Sequence, residues 1–474
     1  MNKLKKSLAL VAMLAIASTG FVGCDDSSSN PGSTPDSSST ADSKTDSTPD
    51  ETTPADDTVG MTDDGDKLSL LCWTPDDVTK MIENFGNDKV EYVNVGSNGQ
   101  EAREQYTQYF AGGKDVDLFV LEADWILDYI NNDEYCADLS ELGFSDSDFA
   151  GCYDYTVAIG TNDAGKLKAA SWQATPGAYV YRTDLAESIL GAKTRDEMQA
   201  LVKDWETFEK TAETAAAKNV AMVDTLGGLW QVYQYNRSNA WVQDGKLNVD
   251  DYCKNYADLA KRYYDKGYVT KESQWSDGWY TIGQDGSTMG YFFTTWCLGA
   301  GSMLSNAEGG MKKDDDGKDT DEPNNAEIYG KYNICAGPSA WAWGGSWLAV
   351  SPKCDNKTLA HDFIKYFTVD EASMENYALF KSEFVNNPTV MKKIVDEKKN
   401  KNALLGGEDQ FAVLYEAASN IDMDGKITAY DSICKTDFND AVNAYVNGDY
   451  ATADDAINAF KEKAAADLPG VTVE

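Results

Sequence analysis

Twelve tryptophans and 26 tyrosines are many for 474 residues. Several stand beside carboxylates. Trp73 precedes Thr74 and Asp76, and Trp125 follows Glu122 and Asp124. An indole face matches the apolar face of a saturated ring. Carboxylates around its rim supply fixed partners for hydroxyl groups. The chemistry this pairing suits is non-covalent capture of a polyhydroxylated ring. Trp172, Trp296, Trp343 and Trp347 join the candidates because each falls at a strand end or beside a chain break, with Gly344 next to Trp343. Trp205, Tyr252 and Tyr366 lie on helix faces and are assigned to packing.

A second pattern runs from Asn420 to Asp431. Asn420, Asp422, Asp424 and Asp431 take positions 1, 3, 5 and 12 of a twelve-residue calcium loop, with Gly425 at position 6 and Ile427 at 8. Asn at position 1 and the short Asp at 12 weaken it. No other cofactor is expected. The eight cysteines after Cys24 are scattered without a CxxC pair, which favours free buried thiols over a zinc site or disulfide framework. Cys136 and Cys152 are the one tempting pair. The single histidine, His361, sits on an amphipathic helix and is expected to pack there.

The elements that must position these residues follow in order. Residues 67–73, 90–95 and 116–121 read as strands, with helices between them from Thr74 and over 101–110. Alternating strand and helix at this spacing predicts an α/β fold with a largely parallel sheet, whose ligands sit at the carboxyl ends of the strands. That rule puts Trp73, Thr74, Glu122, Asp124 and Trp125 on one rim. Two strand-like pieces flank Pro176-Gly177. Residues 198–218 read as one helix, 220–223 and 287–293 as strands, 312–325 as an exposed charged loop, and the last third as mainly helical.

Residues 1–23 combine Lys3, Lys5 and Lys6 with an apolar run too short to span a bilayer. Phe21-Val22-Gly23-Cys24 resembles the lipobox of bacterial lipoproteins, with Phe21 where leucine is usual. Lipidation of Cys24 is therefore expected. Residues 24–66 are Ser, Thr, Asp and Pro with almost no apolar content, and are expected to form a disordered tether. The net charge is −38. Taking away the signal's +3 and the tether's −11 leaves about −30, which disfavours nucleic acid and anionic membrane surfaces as partners.

Four segments then resemble one family in its order: 116–143, 174–191, 289–296 and 344–368 (GGSWLAVSPKCDNKTLAHDFIKYFT). The family is the bacterial extracellular solute-binding proteins of carbohydrate ABC importers, family 1. The resemblance implies two α/β lobes joined by three crossings, placed near 174–180, 288–294 and 344–352, with the ligand cleft between the lobes. The first lobe would be 67–175 plus 292–345, and the second 176–291 plus 346–474. It further implies that Glu122 and Asp124 bind sugar hydroxyls, that Trp296 stacks on the ring, and that Trp230, Trp275 and Trp279 serve from the second lobe. Trp343 and Gly344 would face the cleft and Trp347 the hinge. The implied protein is not an enzyme. It is a lipid-anchored monomer on the outer face of the cytoplasmic membrane that delivers sugar or oligosaccharide to ABC permease subunits. A glycan-binding surface protein without a permease, a peptide binder and a glycoside hydrolase are the alternatives.

Overall fold

The strands form because apolar, β-branched and aromatic runs at 68–72 and 118–121 must bury both faces, as parallel strands under helices do. The computed structural model describes residues 61–114, 116–298, 311–313, 319–323, 328–423 and 425–473, and no side chain of Tyr280 or of 311–323. In chain order the strands are β1 (Leu68–Cys72), β2 (Val90–Asn94), β3 (Leu118–Glu122), β4 (Ala169–Ser171), β5 (Gly177–Arg182), β6 (Val242–Gln243), β7 (Lys246–Leu247), β8 (Gly290–Thr294), β9 (Met311–Lys313), β10 (Asp319–Pro323), β11 (Tyr332–Cys335) and β12 (Ser346–Val350). The first sheet has the order β2-β1-β3-β12-β4. β1 is parallel to β2 and β3, while β12 runs antiparallel between β3 and β4. The second sheet, β11-β5-β8, is antiparallel throughout. β6 with β7 and β9 with β10 make two small hairpins.

Helices cover both sheets, giving the two-lobe α/β fold. Pro75–Phe85 starts on a proline and stops at Gly86, whose left-handed φ of 74° only glycine adopts freely. Helix Lys357–Thr368 packs on β4 and on helix Pro75–Phe85 in the first lobe. Helices Leu226–Tyr235, Asp251–Asp265 and Gln410–Ala418 pack in the second, the last against β5 and β11. Asp431–Asn447 and Ala453–Asp467 lie against Asp251–Asp265. Among the described residues no helix is long and apolar enough to cross a membrane.

The chain passes between the sheets in a narrow ribbon. Residues 172–176 lead from β4 to β5, 336–345 lead from β11 to β12, and 382–387 leave the first lobe's helices for the second's. These three run side by side. Ala174 N donates to Phe384 O (3.0 Å) and Asn386 N to Trp172 O (3.0 Å), while Gly177 N donates to Trp341 O (2.8 Å) and Trp343 N to Thr175 O (3.1 Å). Gly177 is required: a Cβ there would sit 2.1 Å from the Trp341 ring.

Four expectations need correction. Residues 346–350 belong to the first sheet, because β12 is hydrogen bonded to β3 and β4; β11 belongs to the second. The lobe boundaries drawn at 292–345 and 346–474 therefore fail at both strands. The crossing placed near 288–294 is instead β8, paired with β5 inside the second sheet, and the passage it stood for lies at 382–387. Residues 312–325 contain a hairpin where a loop was expected. The helix expected over 198–218 is two, Arg195–Val202 and Trp205–Ala216, because Asp204 caps the second, accepting from Thr207 N at 2.7 Å.

All eight described cysteines are free, Cys136 and Cys152 included. His361 packs on Phe144, with ring centroids 4.5 Å apart. Cys24, the signal and most of the tether lie outside the described residues.

Candidate functional site

The carboxyl ends of β1 and β3 carry Trp73 and the Glu122–Trp125 turn. Their indoles pack 6.0 Å apart, and Trp125 is wedged edge-on against Tyr106 and Tyr129. Thr74 is held by its own strand, its hydroxyl 3.2 Å from Cys72 Sγ. Asp76 lies exposed in the first turn of the following helix. Glu122 is partly buried and accepts from Asp124 N at 3.0 Å through Oε2.

The second lobe meets this rim with tryptophans. Trp275 is 52% exposed and stands parallel to Trp296 (6.2 Å, 5°). It is tilted against Trp343 (5.8 Å) and Trp279 (5.2 Å). Two of these supporting rings are fixed by their N–H groups. Trp279 Nε1 donates to Asp224 Oδ2 at 2.6 Å, and Trp296 Nε1 to the Trp343 carbonyl at 3.0 Å. Trp275 itself has φ +71°, a left-handed conformation that a bulky residue rarely adopts and that clusters at binding sites. Gly344, φ +67°, joins the halves: a Cβ built on it lies 3.7 Å from both Glu122 Oε1 and Trp296 Nε1. Glu122, Trp275, Trp296, Trp343 and Gly344 therefore form one wall at the ribbon.

A cavity continues from Trp125. Asp124, Trp125 and Asp128 line it from the first lobe, and Gln234, Tyr235, Arg237, Met423, Thr428, Asp431 and Lys435 from the second. Lys435 Nζ reaches across to Asp124 Oδ1 at 2.5 Å. Burial, reinforced by the charge of Asp124, pushes Glu122 up to about 8 against the pull of Lys435. The shift favours the acid form of Glu122, which can donate as well as accept. Burial likewise raises Asp224 to about 7 and Glu383 to about 8, with the Trp279 and Thr295 hydrogen bonds opposing. A carboxyl whose folded pKa is raised stabilises the fold below its unfolded pKa and loses that contribution as pH rises through the folded value. For Glu122 the window runs from about 4.5 to about 8. Glu122→Gln should therefore flatten the fall in melting temperature across this window, measured by thermal denaturation at a series of pH values. An unchanged slope would contradict the assignment.

Four expected contacts are corrected. Trp172 is fully buried, stacked on Phe367 at 4.6 Å with its Nε1 donating to Tyr377 OH. Trp230 is packed between Tyr256 and Phe438 in the second core. Trp347 points into the first core, where its Nε1 donates to Thr156 O at 2.9 Å. Trp279 is also buried, and backs Trp275 without offering a face. The described residues of the calcium loop hold protein partners. Asp431 accepts from Arg237 and from Thr428 N and Oγ1, Asp422 pairs with Lys426, and Asn420 donates to Glu416 O. Asp424 lies outside the described residues. Among those described, no three His, Cys, Asp or Glu side chains cluster as a metal site requires.

Gln234, Tyr235, Arg237 and Lys435 were not anticipated. They carry no motif, and only the meeting of helix ends 190 and more residues apart brings them to the cavity.

The fold has many solved counterparts. A structure described as an extracellular solute-binding protein family 1 aligns with a TM-score of 0.72 at 17% identity, covering 84% of this chain and 99% of that one. The galacto-N-biose-/lacto-N-biose I-binding protein of a Bifidobacterium longum ABC transporter, in complex with lacto-N-biose, aligns at 0.65 and 15% identity over 87% and 100%. An ABC transporter associated binding protein from B. animalis subsp. lactis Bl-04, in complex with beta-1,6-galactobiose, aligns at 0.63 and 16% over 84% and 96%. No curated protein matches by sequence. The family model for the bacterial extracellular solute-binding proteins matches residues 79–406, more than half of the 474. The chain belongs to the bacterial extracellular solute-binding proteins.

Proposed function

We propose that this protein captures a saccharide in the cleft between its lobes and delivers it to the permease of an ABC importer, held at the outer face of the cytoplasmic membrane by a lipid on Cys24. The observation that carries the reading is the wall at the ribbon. An exposed indole, Trp275, is braced by three others, and Glu122 stands across Gly344 from Trp296. An apolar face beside a group that both donates and accepts is what a pyranose needs. The sugar ligands of the structural counterparts agree with it.

Binding without turnover fits the carboxylates. A glycosidase sets two of them on opposite sides of the scissile bond. Glu122 and Asp124 leave the same turn, and Asp124 is tied to Lys435. The protein acts as a monomer. A surface glycan-binding role without a permease would use the same wall, and loss of sugar uptake on deletion separates the two.

The test is a thermal-shift panel of oligosaccharides and peptides, with product analysis of any sugar that binds. We expect at least one sugar to raise the melting temperature, with no peptide doing so and no hydrolysis. A response to peptides alone would contradict the reading.

A further inference from the structure

Two buried side chains of the cavity are only partly paired. Arg237 is 2% exposed. Its Nη2 donates to Asp431 Oδ2 (2.9 Å) and the Lys426 carbonyl (3.1 Å), and its guanidinium lies over the Trp241 ring at 5.2 Å. Its Nε and Nη1 donate to no atom of the described residues. Gln234, 5% exposed, gives its Nε2 to Gln231 Oε1, and its own Oε1 accepts from no atom of the described residues. Buried polar groups are nearly always paired, and each unpaired one costs stability. A guanidinium and an amide left short on one cavity wall point to an occupant that completes them.

The cavity says what kind. It measures about 20 Å³, room for about one water-sized group. Trp125, Ile159, Met423 and Ile427 supply apolar sides. The cations around it are already balanced: Arg237 by Asp431, Lys435 by Asp124, and Arg103 by Asp128 across the first-lobe face. A ligand carboxylate would bring an uncompensated negative charge into a region where burial and Asp124 already push Glu122 upward. It would also offer Gln234 Oε1 no proton. An ether oxygen fails Gln234 in the same way, and an ammonium fails Arg237. A hydroxyl accepts from Arg237 and donates to Gln234 at once.

We propose that Arg237 and Gln234 form a specificity subsite for a single hydroxyl of the bound saccharide, which selects neutral sugars over those bearing a uronic acid. The proposal rests on the saccharide reading above. Gln234→Leu keeps size and leaves the Arg237–Asp431 pair intact, so it tests the subsite without breaking a buried ion pair.

The experiment is calorimetric titration of the full chain and its Gln234→Leu variant with maltose, cellobiose, lactose and β-1,6-galactobiose, and with the uronic-acid counterpart of each. The wild type should bind at least one neutral disaccharide, and its uronic-acid counterpart at least about tenfold more weakly. The variant should bind that neutral disaccharide at least about tenfold more weakly, the cost of one lost hydrogen bond in a charged pair's network. Its ligand-free melting temperature should be no lower than that of the wild type, since an unpaired acceptor has been removed. Equal affinity in variant and wild type, or uronic-acid sugars bound as tightly as neutral ones, overturns the subsite. No heat with any of the eight sugars overturns the saccharide reading beneath it.

Discussion

Trp275→Ala should weaken saccharide binding by about 2–4 kcal/mol, or roughly 30- to 1,000-fold in Kd, the range of an aromatic hot spot. The melting temperature of the free protein should barely move. The reasoning is local. Trp275 is the one tryptophan among those described that is more than half exposed, so its removal empties no core. Its rings are nonetheless oriented, because Trp279 is pinned to Asp224 and Trp296 to the Trp343 carbonyl. Its left-handed backbone is a strain that alanine shares and glycine relieves. Trp275→Gly should therefore be at least as stable as Trp275→Ala while binding equally poorly, and Trp275→Phe should recover part of the affinity. Titration calorimetry with a sugar that gives a thermal shift, alongside melting curves, separates these outcomes. A variant that binds like the wild type would remove the platform from the account.

Trp347→Ala should do the reverse. It should cost about 3–5 kcal/mol of stability, the usual range for truncating a large buried aromatic. Trp347 is 1% exposed, on a strand paired on both sides, and its Nε1 satisfies Thr156 O inside the first lobe. Alanine leaves a cavity and takes one of the donors away from Thr156 O. Urea denaturation reads the loss. The folded fraction should still bind sugar with affinity near the wild type's, because the Trp347 ring is buried against Gly345 and Thr156 and offers no face to a ligand. Lost affinity at unchanged stability would place Trp347 in the site after all. The two tryptophans thus form a crossed pair: one change removes binding, the other stability.

The difference between these residues marks what the sequence could convey. Strand ends are legible, because an apolar run followed by polar residues tells where a strand stops. The carboxyl-end rule then puts Glu122, Asp124 and Trp125 on the rim. Which way a tryptophan faces is not legible beside a strand end. Trp343 and Trp347 are four residues apart, yet the left-handed Gly344 and Gly345 turn the chain between them. One indole ends beside Trp296 and the other in the core. Sheet membership was hidden for a related reason. The run Trp347-Leu-Ala-Val350 suits any buried strand, and only its pairing with Leu118–Glu122 and Ala169–Ser171, each more than 170 residues away, assigns it to the first lobe.

The loop at 420–431 shows the converse. Its spacing fits calcium ligation, but spacing does not include Arg237, which lies far upstream and takes the carboxylate of Asp431. The same guanidinium then leaves two buried donors without a partner among the described residues. A motif read along the chain misses whatever the fold brings from elsewhere. Gln234, Tyr235, Arg237 and Lys435 are of this kind, gathered by packing between helices Leu226–Tyr235 and Asp431–Asn447 and the Glu122–Trp125 turn.

The central claim is that the wall of Trp275, Trp296, Trp343 and Glu122 binds a sugar ring. It is tested most directly by a crystal structure of the protein with the saccharide giving the largest thermal shift. The account predicts a pyranose lying on the Trp275 indole, with a hydroxyl within hydrogen-bonding distance of Glu122. A sugar seated away from these residues, or a peptide occupying the wall in its place, would contradict it.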